Sequence, residues 1–285
     1  MHIFRINFLL IILLSSSDML ASYFPANSWE ISSPEQQQVR SDNVNALINL
    51  AFLDDSTQAV VVVKNGKIIS EKYAEGYDKN SHGTSWSMAK SYYAALIGIS
   101  IDKGEISSLD DKVGKYLDYF NDERSEITIR DLLDMSSGLD FPKDEHETMF
   151  FQEDHLKYAM NVGVEKSAGL KFEYNNVNSM LLGDILIAAT GKKADTLLKE
   201  RILDHIGVKD YKLWKDENGN VLTYCCVDMS ARDYSKIGLL FSRNGNWDGK
   251  QLISKKYVDE TFQVVWDITP ERFTELKRGY SLHWW

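Results

Sequence analysis

Cysteine is nearly missing from this chain of 285 residues: there are two, and they are neighbours, Cys225-Cys226. An extracellular disulfide framework needs separated pairs, and adjacent cysteines bridge only in constrained geometry, so the sequence predicts two buried thiols. The same spacing excludes zinc, which wants two ligand pairs held apart. The six histidines form no HExxH cluster, and neither a metal nor another cofactor is expected. Positive charge is in deficit, with 32 Lys and Arg against 42 Asp and Glu, a formal net charge of −10 and no basic stripe to offset it. Such a chain repels phosphate backbones, so nucleic acid is excluded as a partner. No apolar run reaches the ~20 residues that a bilayer span needs. Internal repeats and low-complexity segments are absent, as are a Gly-x-Ser-x-Gly elbow and a histidine placed for a Ser-His-Asp triad.

What is present starts with a core-forming composition, 44% hydrophobic and 26% charged, enough for one large or two interlocked domains. Residues 1–21 read as a secretory signal peptide. Arg5 supplies the positive end, Phe8 to Leu14 the short apolar run, and Leu20-Ala21-Ser22 the small-residue cleavage candidate. Export to the periplasm or medium is therefore expected. No cysteine near the cleavage region offers a lipid attachment point, so no stable membrane anchor beyond the signal peptide is expected.

Past a polar linker (Ser32 to Asp42), Asn43 to Leu53 has helical spacing after a Ser41-Asp42 cap. Ala59 to Val63 and Lys67 to Lys72 flank Asn65-Gly66, a dipeptide suited to a two-residue hairpin turn. Ser87 to Lys103 is a mostly apolar helix closed by Gly104. Ser108 with Asp111 and Thr128 with Asp131 resemble capping boxes. Further helices are expected over Asn176–Thr190, Ala194–His205, Ala231–Phe241 and Tyr257–Phe262. A second hairpin is expected from Lys212–Trp214 and Val221–Cys225, and a strand over Gly279–Trp285. Strands at both ends with helices between imply an α/β domain interrupted by a helical one, with a cleft where they meet. The expected division is residues 22–84 and 211–285 for the first and 85–210 for the second.

Ser87-Met88-Ala89-Lys90 places a hydroxyl and an amine three residues apart, on one face of a helix. A desolvated lysine there has a lowered pKa and can take the hydroxyl's proton, and the helix N-terminus favours the resulting negative charge. A second tetrad, Ser100-Ile101-Asp102-Lys103, lies in the last turn beside a carboxylate, so Ser100 reads as an ordinary helix residue. Tyr174-Asn175-Asn176 stands at the entry of another helix, where a phenol can project into a cleft and move protons. Tyr119-Phe120-Asn121 repeats that pattern, and a core aromatic is the plain alternative for Tyr174.

Together these motifs resemble the serine β-lactamase-like superfamily, in its branch of class C β-lactamases, family VIII esterases and 6-aminohexanoate-dimer hydrolases. Ile127-Thr128-Ile129-Arg130-Asp131 through Gly138-Leu139, Leu182-Gly183, Asp228-Met229-Ser230-Ala231-Arg232-Asp233, Gly245 to Lys250 and Gly279-Tyr280…Trp284-Trp285 continue the likeness in the family's order. The resemblance implies a β-lactamase/transpeptidase-like fold, an antiparallel sheet flanked by helices beside an all-helical domain. It implies Ser87 as the acylated nucleophile, Lys90 and Tyr174 sharing general-base and general-acid work, and Asn176 contacting substrate. Which of Lys90 and Tyr174 takes the first proton is left open. The substrate is expected to be a small ester, amide or lactam, with a short ester or linear amide favoured by analogy. The alternatives are a binding or sensor protein that is acylated once without turnover, and an inactive homologue on the same fold.

The family's third motif, Lys/His-Ser/Thr/x-Gly on a cleft strand, follows the Gly-Tyr…Trp-Trp segment, and this chain ends at Trp285. His205-Ile206-Gly207 is a comparable triplet in another part of the pattern. A truncated frame lacking the last strand and helix is the expectation, with weak folding or activity as its consequence, and an open sheet edge inviting association.

Overall fold

The computed structural model describes residues 23–25, 28–140, 148–268 and 278–285. The expected signal peptide, residues 1–21, and most of the loop Phe141–Phe151 lie outside the described residues.

Among the described residues eight α-helices are formed: α1 (Ser41–Ala51), α2 (Ala89–Asp102), α3 (Ile129–Leu133), α4 (His155–Met160), α5 (Asn176–Thr190), α6 (Ala194–Leu198), α7 (Ala231–Ser242) and α8 (Lys255–Thr261). Strands β1 (Ala59–Lys64) and β2 (Lys67–Tyr73) precede α2, β3 (His82–Thr84) leads into it, and β4 (Lys212–Leu213) and β5 (Val227–Ser230) follow α6. Short pairs β6 (Asn246–Trp247) with β7 (Lys250–Gln251), and β8 (Trp266–Asp267) with β9 (Gly279–Tyr280), complete the described chain. Among the described residues these strand pairs are antiparallel, and one isolated parallel bridge joins Ile31 to Ile68 of β2.

The β1–β2 hairpin forms where the turn chemistry placed it, with Asn65 and Gly66 at φ 52° and 81°. Alternation along β2 then splits two cores: Ile68 joins the main one, while Ile69 packs with Val44 and Ile48 of α1. β5 lies between β3 and β4, with Gly83 opposite Met229 and Lys212 opposite Asp228. α2 is buried from Ala89 to Ser100 and packs on α5 and α6, so its apolar sequence reflects a central position.

Several boundaries differ from the sequence expectation. α1 begins at Ser41, with Arg40 as N-cap, and Glu35 rather than Asp42 accepts the Ser41 N–H, at 3.1 Å. Thr128–Asp131 is a true capping box, whereas Ser108 and Asp111 organise a turn before the 3-10 segment Val113–Lys115. The helix starting at Ala194 passes into a π-type turn over Lys199–Leu203. β4 pairs with Val227–Ser230 instead of Val221–Cys225, because the Asn218-Gly219-Asn220 turn closes only a bridge between Lys215 and Val221. The strand expected over Gly279–Trp285 stops at Tyr280, since Leu282 and His283 take left-handed backbone and fold the chain inward.

Among the described residues, no helix is long and apolar enough to cross a membrane. One close approach fixes how α8 meets α2. A Cβ on Gly98 would lie 2.5 Å from the Tyr257 ring, and the Tyr257 hydroxyl donates to the Ala94 carbonyl at 2.6 Å. Replacing Gly98 by alanine is expected to destabilise the fold by roughly 1–3 kcal/mol through overpacking. Urea unfolding of Gly98→Ala measures this, and an unchanged midpoint would contradict the packing described.

Candidate active site

Ser87 lies in a 3-10 turn, Trp86–Met88, that runs directly into α2. The expected single helix is thus tightened at its start, and this leaves Ser87 exposed while Lys90, three residues on, is 1% exposed. The turn is held from the sheet side. Ser85 N–H donates to the Val227 carbonyl, and Val227 N–H donates to the Ser85 hydroxyl, both at 2.9 Å. Trp86 sits at φ 46°, an uncommon conformation for a residue with a Cβ, and its carbonyl accepts from Cys226 N–H at 3.4 Å.

Lys90 Nζ donates to Ser87 Oγ at 3.1 Å and to the Tyr224 carbonyl at 2.7 Å. It lies 4.9 Å from the Tyr174 ring centre and 5.7 Å from that of Tyr224. Among the described residues no carboxylate pairs with it. Burial therefore acts unopposed and brings its pKa from the ordinary lysine value down to about 7.

Tyr174 immediately precedes Asn175, whose side chain caps α5 by accepting from Val177 N–H at 3.0 Å. The Asn175 amide also donates to the carbonyls of Leu139 and Asp140, at 3.4 and 3.3 Å, which fixes the loop carrying Tyr174. Burial raises the Tyr174 pKa above the usual phenol value, and the Ser87 hydroxyl beside it opposes the shift. Asn176 begins α5, and its Oδ1 is buried without a hydrogen-bond partner. The structure thus gathers Ser87, Lys90 and Tyr174, and leaves an unused acceptor on Asn176.

The look-alike motifs fall elsewhere. Ser100 is buried and accepts from Arg201 at 3.0 Å, and Tyr119 donates to Asp184 at 2.9 Å. His205 is on the surface against Lys250. Sequence reasoning missed the Tyr224 carbonyl, because a backbone acceptor 134 positions away from Lys90 leaves no local pattern. It also missed His283, described below. The expectation of two thiols is corrected: Cys225 and Cys226, both buried, are joined as a vicinal disulfide next to Tyr224. Among the described residues no group of three or more His, Cys, Asp or Glu side chains is placed to hold a metal.

The Beta-lactamase family model matches residues 53–252, more than half of the sequence, and the chain belongs to that family. A D-aminopeptidase of Brucella anthropi is 28% identical over 178 residues, 55% of this chain and 33% of that protein. The 6-aminohexanoate-dimer hydrolase of Paenarthrobacter ureafaciens is 20% identical over 254 residues, 80% of this chain and 64% of that protein. The matches thus span between 33% and 64% of these curated relatives' length. A Bacillus anthracis structure provisionally described as a 6-aminohexanoate-dimer hydrolase superposes with a TM-score of 0.72 at 21% identity, covering 92% of this chain and 73% of that one. An octameric penicillin-binding protein homologue from Pyrococcus abyssi gives 0.66 at 18% identity, over 85% and 64% of the two chains. The fold is the β-lactamase/transpeptidase-like one, mixing helices with antiparallel sheet.

A buried, unpaired lysine has a thermodynamic signature. Lys90 ionises near pH 7 in the folded state but near 10.5 in the unfolded chain. Between these values the unfolded state binds more protons, so stability rises with pH across the window, and below it the full penalty applies. Lys90→Met should therefore be more stable than wild type at pH 6, by on the order of a few kcal/mol, with the gap narrowing toward pH 10. Denaturant melts at several pH values check this. A Lys90→Met chain that is less stable at pH 6 would show that the lysine is paired or solvated.

Proposed function

We propose that the protein is a serine hydrolase that forms an acyl-enzyme on Ser87 from a small amide or ester. The observation that carries this reading is the contact, 3.1 Å long, between exposed Ser87 and a buried lysine that has no counter-ion among the described residues. With a pKa near 7, a large fraction of Lys90 is neutral at neutral pH and able to accept the Ser87 proton. Tyr174, whose pKa is raised, keeps its proton over the same range. This assigns Lys90 as the first base and Tyr174 as the group that passes a proton to the leaving amine or alcohol.

In acylation, Ser87 Oγ attacks the substrate carbonyl as its proton moves to Lys90. The C–N or C–O bond then breaks, with the leaving group protonated through Tyr174. In deacylation, water attacks the ester carbonyl, its proton is taken up by the same pair, and Ser87 Oγ leaves with a proton. Asn176, two residues after Tyr174 at the start of α5, is the proposed substrate contact. Amides are favoured over esters and lactams because the relatives include a D-aminopeptidase and a 6-aminohexanoate-dimer hydrolase. The proposal includes export, supported by Arg5 and the apolar run after it.

Intact-mass analysis after fluorophosphonate treatment tests the nucleophile. One adduct on wild type, absent from Ser87→Ala, is expected. The labelling rate should climb about tenfold per pH unit below pH 7, level off above it, and hold to at least pH 9 while Tyr174 stays protonated. No adduct on a cooperatively folded wild-type chain would rule out the reading. A single adduct with no turnover of any amide or ester would instead place the protein among once-acylated binders.

A further inference from the structure

The turn after β9 carries a histidine that the acylation chemistry above does not use. Leu282 and His283 both have left-handed backbone, φ 42° and 63°, which residues with a Cβ adopt only when contacts hold them there. The contacts are specific. His283 N–H donates to the Leu133 carbonyl at 2.9 Å, and its own carbonyl accepts from the Ser91 hydroxyl at 2.7 Å. On the ring, Nε2 is 2.9 Å from Ser179 Oγ and Nδ1 is 3.2 Å from the Tyr280 hydroxyl. Leu282 N–H adds a bond to Asp134 Oδ1 at 2.8 Å. The whole residue is 2% exposed.

Three of these partners, Ser91, Ser179 and Tyr280, stand next to a group in the site. Ser91 follows Lys90 on α2. Ser179 belongs to the first turns of α5, the helix that Tyr174 and Asn176 lead into. The Tyr280 ring meets Tyr174 edge-on, with centres 6.2 Å apart and planes at 87°. We propose, resting on the serine-hydrolase reading, that His283 is a positioning residue for acyl transfer. By joining α2, α5 and the β9 turn it fixes Lys90 and Tyr174 around Ser87 Oγ.

The ring serves this purpose only as a neutral imidazole, because a second cation beside Lys90 would compete for its place. Lys90 faces it from α2, Tyr280 from its own turn, and Asp134 is reached only through Leu282 N–H. Burial and the Lys90 charge push the His283 pKa down to about 3, so the ring stays uncharged across the working range. One nitrogen then donates and the other accepts, and the Ser179 and Tyr280 hydroxyls can each play the matching part.

The test measures fluorophosphonate labelling of Ser87 as a saturating rate and a half-saturating probe concentration. His283→Phe keeps a planar ring, at somewhat greater volume, and removes both ring hydrogen bonds. It should slow the saturating rate about tenfold at unchanged half-saturation, as expected when reacting groups are displaced but binding is not. His283→Gln, which can still bond Ser179, should recover about threefold of that loss, and Tyr280→Phe should slow labelling about threefold. A folded His283→Phe chain labelled at the wild-type saturating rate would overturn the proposal. If that variant does not melt cooperatively, Tyr280→Phe and Ser179→Ala decide: wild-type rates in both would overturn it equally. Absence of a Ser87 adduct on wild type overturns the hydrolase reading itself, and the positioning role with it.

Discussion

A buried lysine that meets no counter-ion among the described residues is the constraint on which the rest of this structure depends. Removing an ammonium from water costs several kcal/mol unless it loses its proton, so Lys90 yields its charge near neutrality rather than near pH 10.5. The proposed role of Lys90 as a base rests on that yielding. It requires a helix buried all round, and α2 has that environment from Ala89 to Ser100. It also requires that the hydrogen bonds Lys90 does make leave its proton free to depart. A backbone carbonyl, that of Tyr224, and a serine hydroxyl meet this condition where a carboxylate would not.

The proposed nucleophile, Ser87, needs the opposite environment, and three residues separate the two. The 3-10 turn at Trp86–Met88 lifts Ser87 to the surface, while the α-helix that follows carries Lys90 beneath it. Residues distant in sequence keep that step in place. β5 grips Ser85, the Cys226 N–H holds the Trp86 carbonyl, and the Asn175 cap fixes the loop from which Tyr174 reaches in. Stability is given up at Lys90 and recovered across the apolar core in which α2 is embedded.

Much of this was legible in the sequence because the relevant physics is local. Ser87 and Lys90 are one helical step apart, Asn65-Gly66 carries its own turn preference, and Thr128 with Asp131 caps α3 as its residue types require. The family likeness fixed the fold class from the order of such motifs. What stayed hidden is carried by backbone atoms and by turns made from unremarkable residues. Nothing in Tyr224 announces that its carbonyl will meet a lysine 134 positions away. The apolar run Gly279–Trp285 reads as a strand, and only long-range bonds to Leu133, Ser91 and Asp134 make Leu282 and His283 turn inward. The adjacent cysteines were read correctly as buried but not as joined.

The state of Lys90 is open to direct observation. Carbon-13 labelling of lysine side chains, with the Lys90 resonance assigned by its loss in Lys90→Met, allows the Cε shift to be followed from pH 5 to pH 11. The account predicts a midpoint for Lys90 near pH 7, well below the ordinary lysine value of 10.5. A midpoint at or above 10 would mean that the amine stays charged beside Ser87, and the assignment of Lys90 as the base would be wrong.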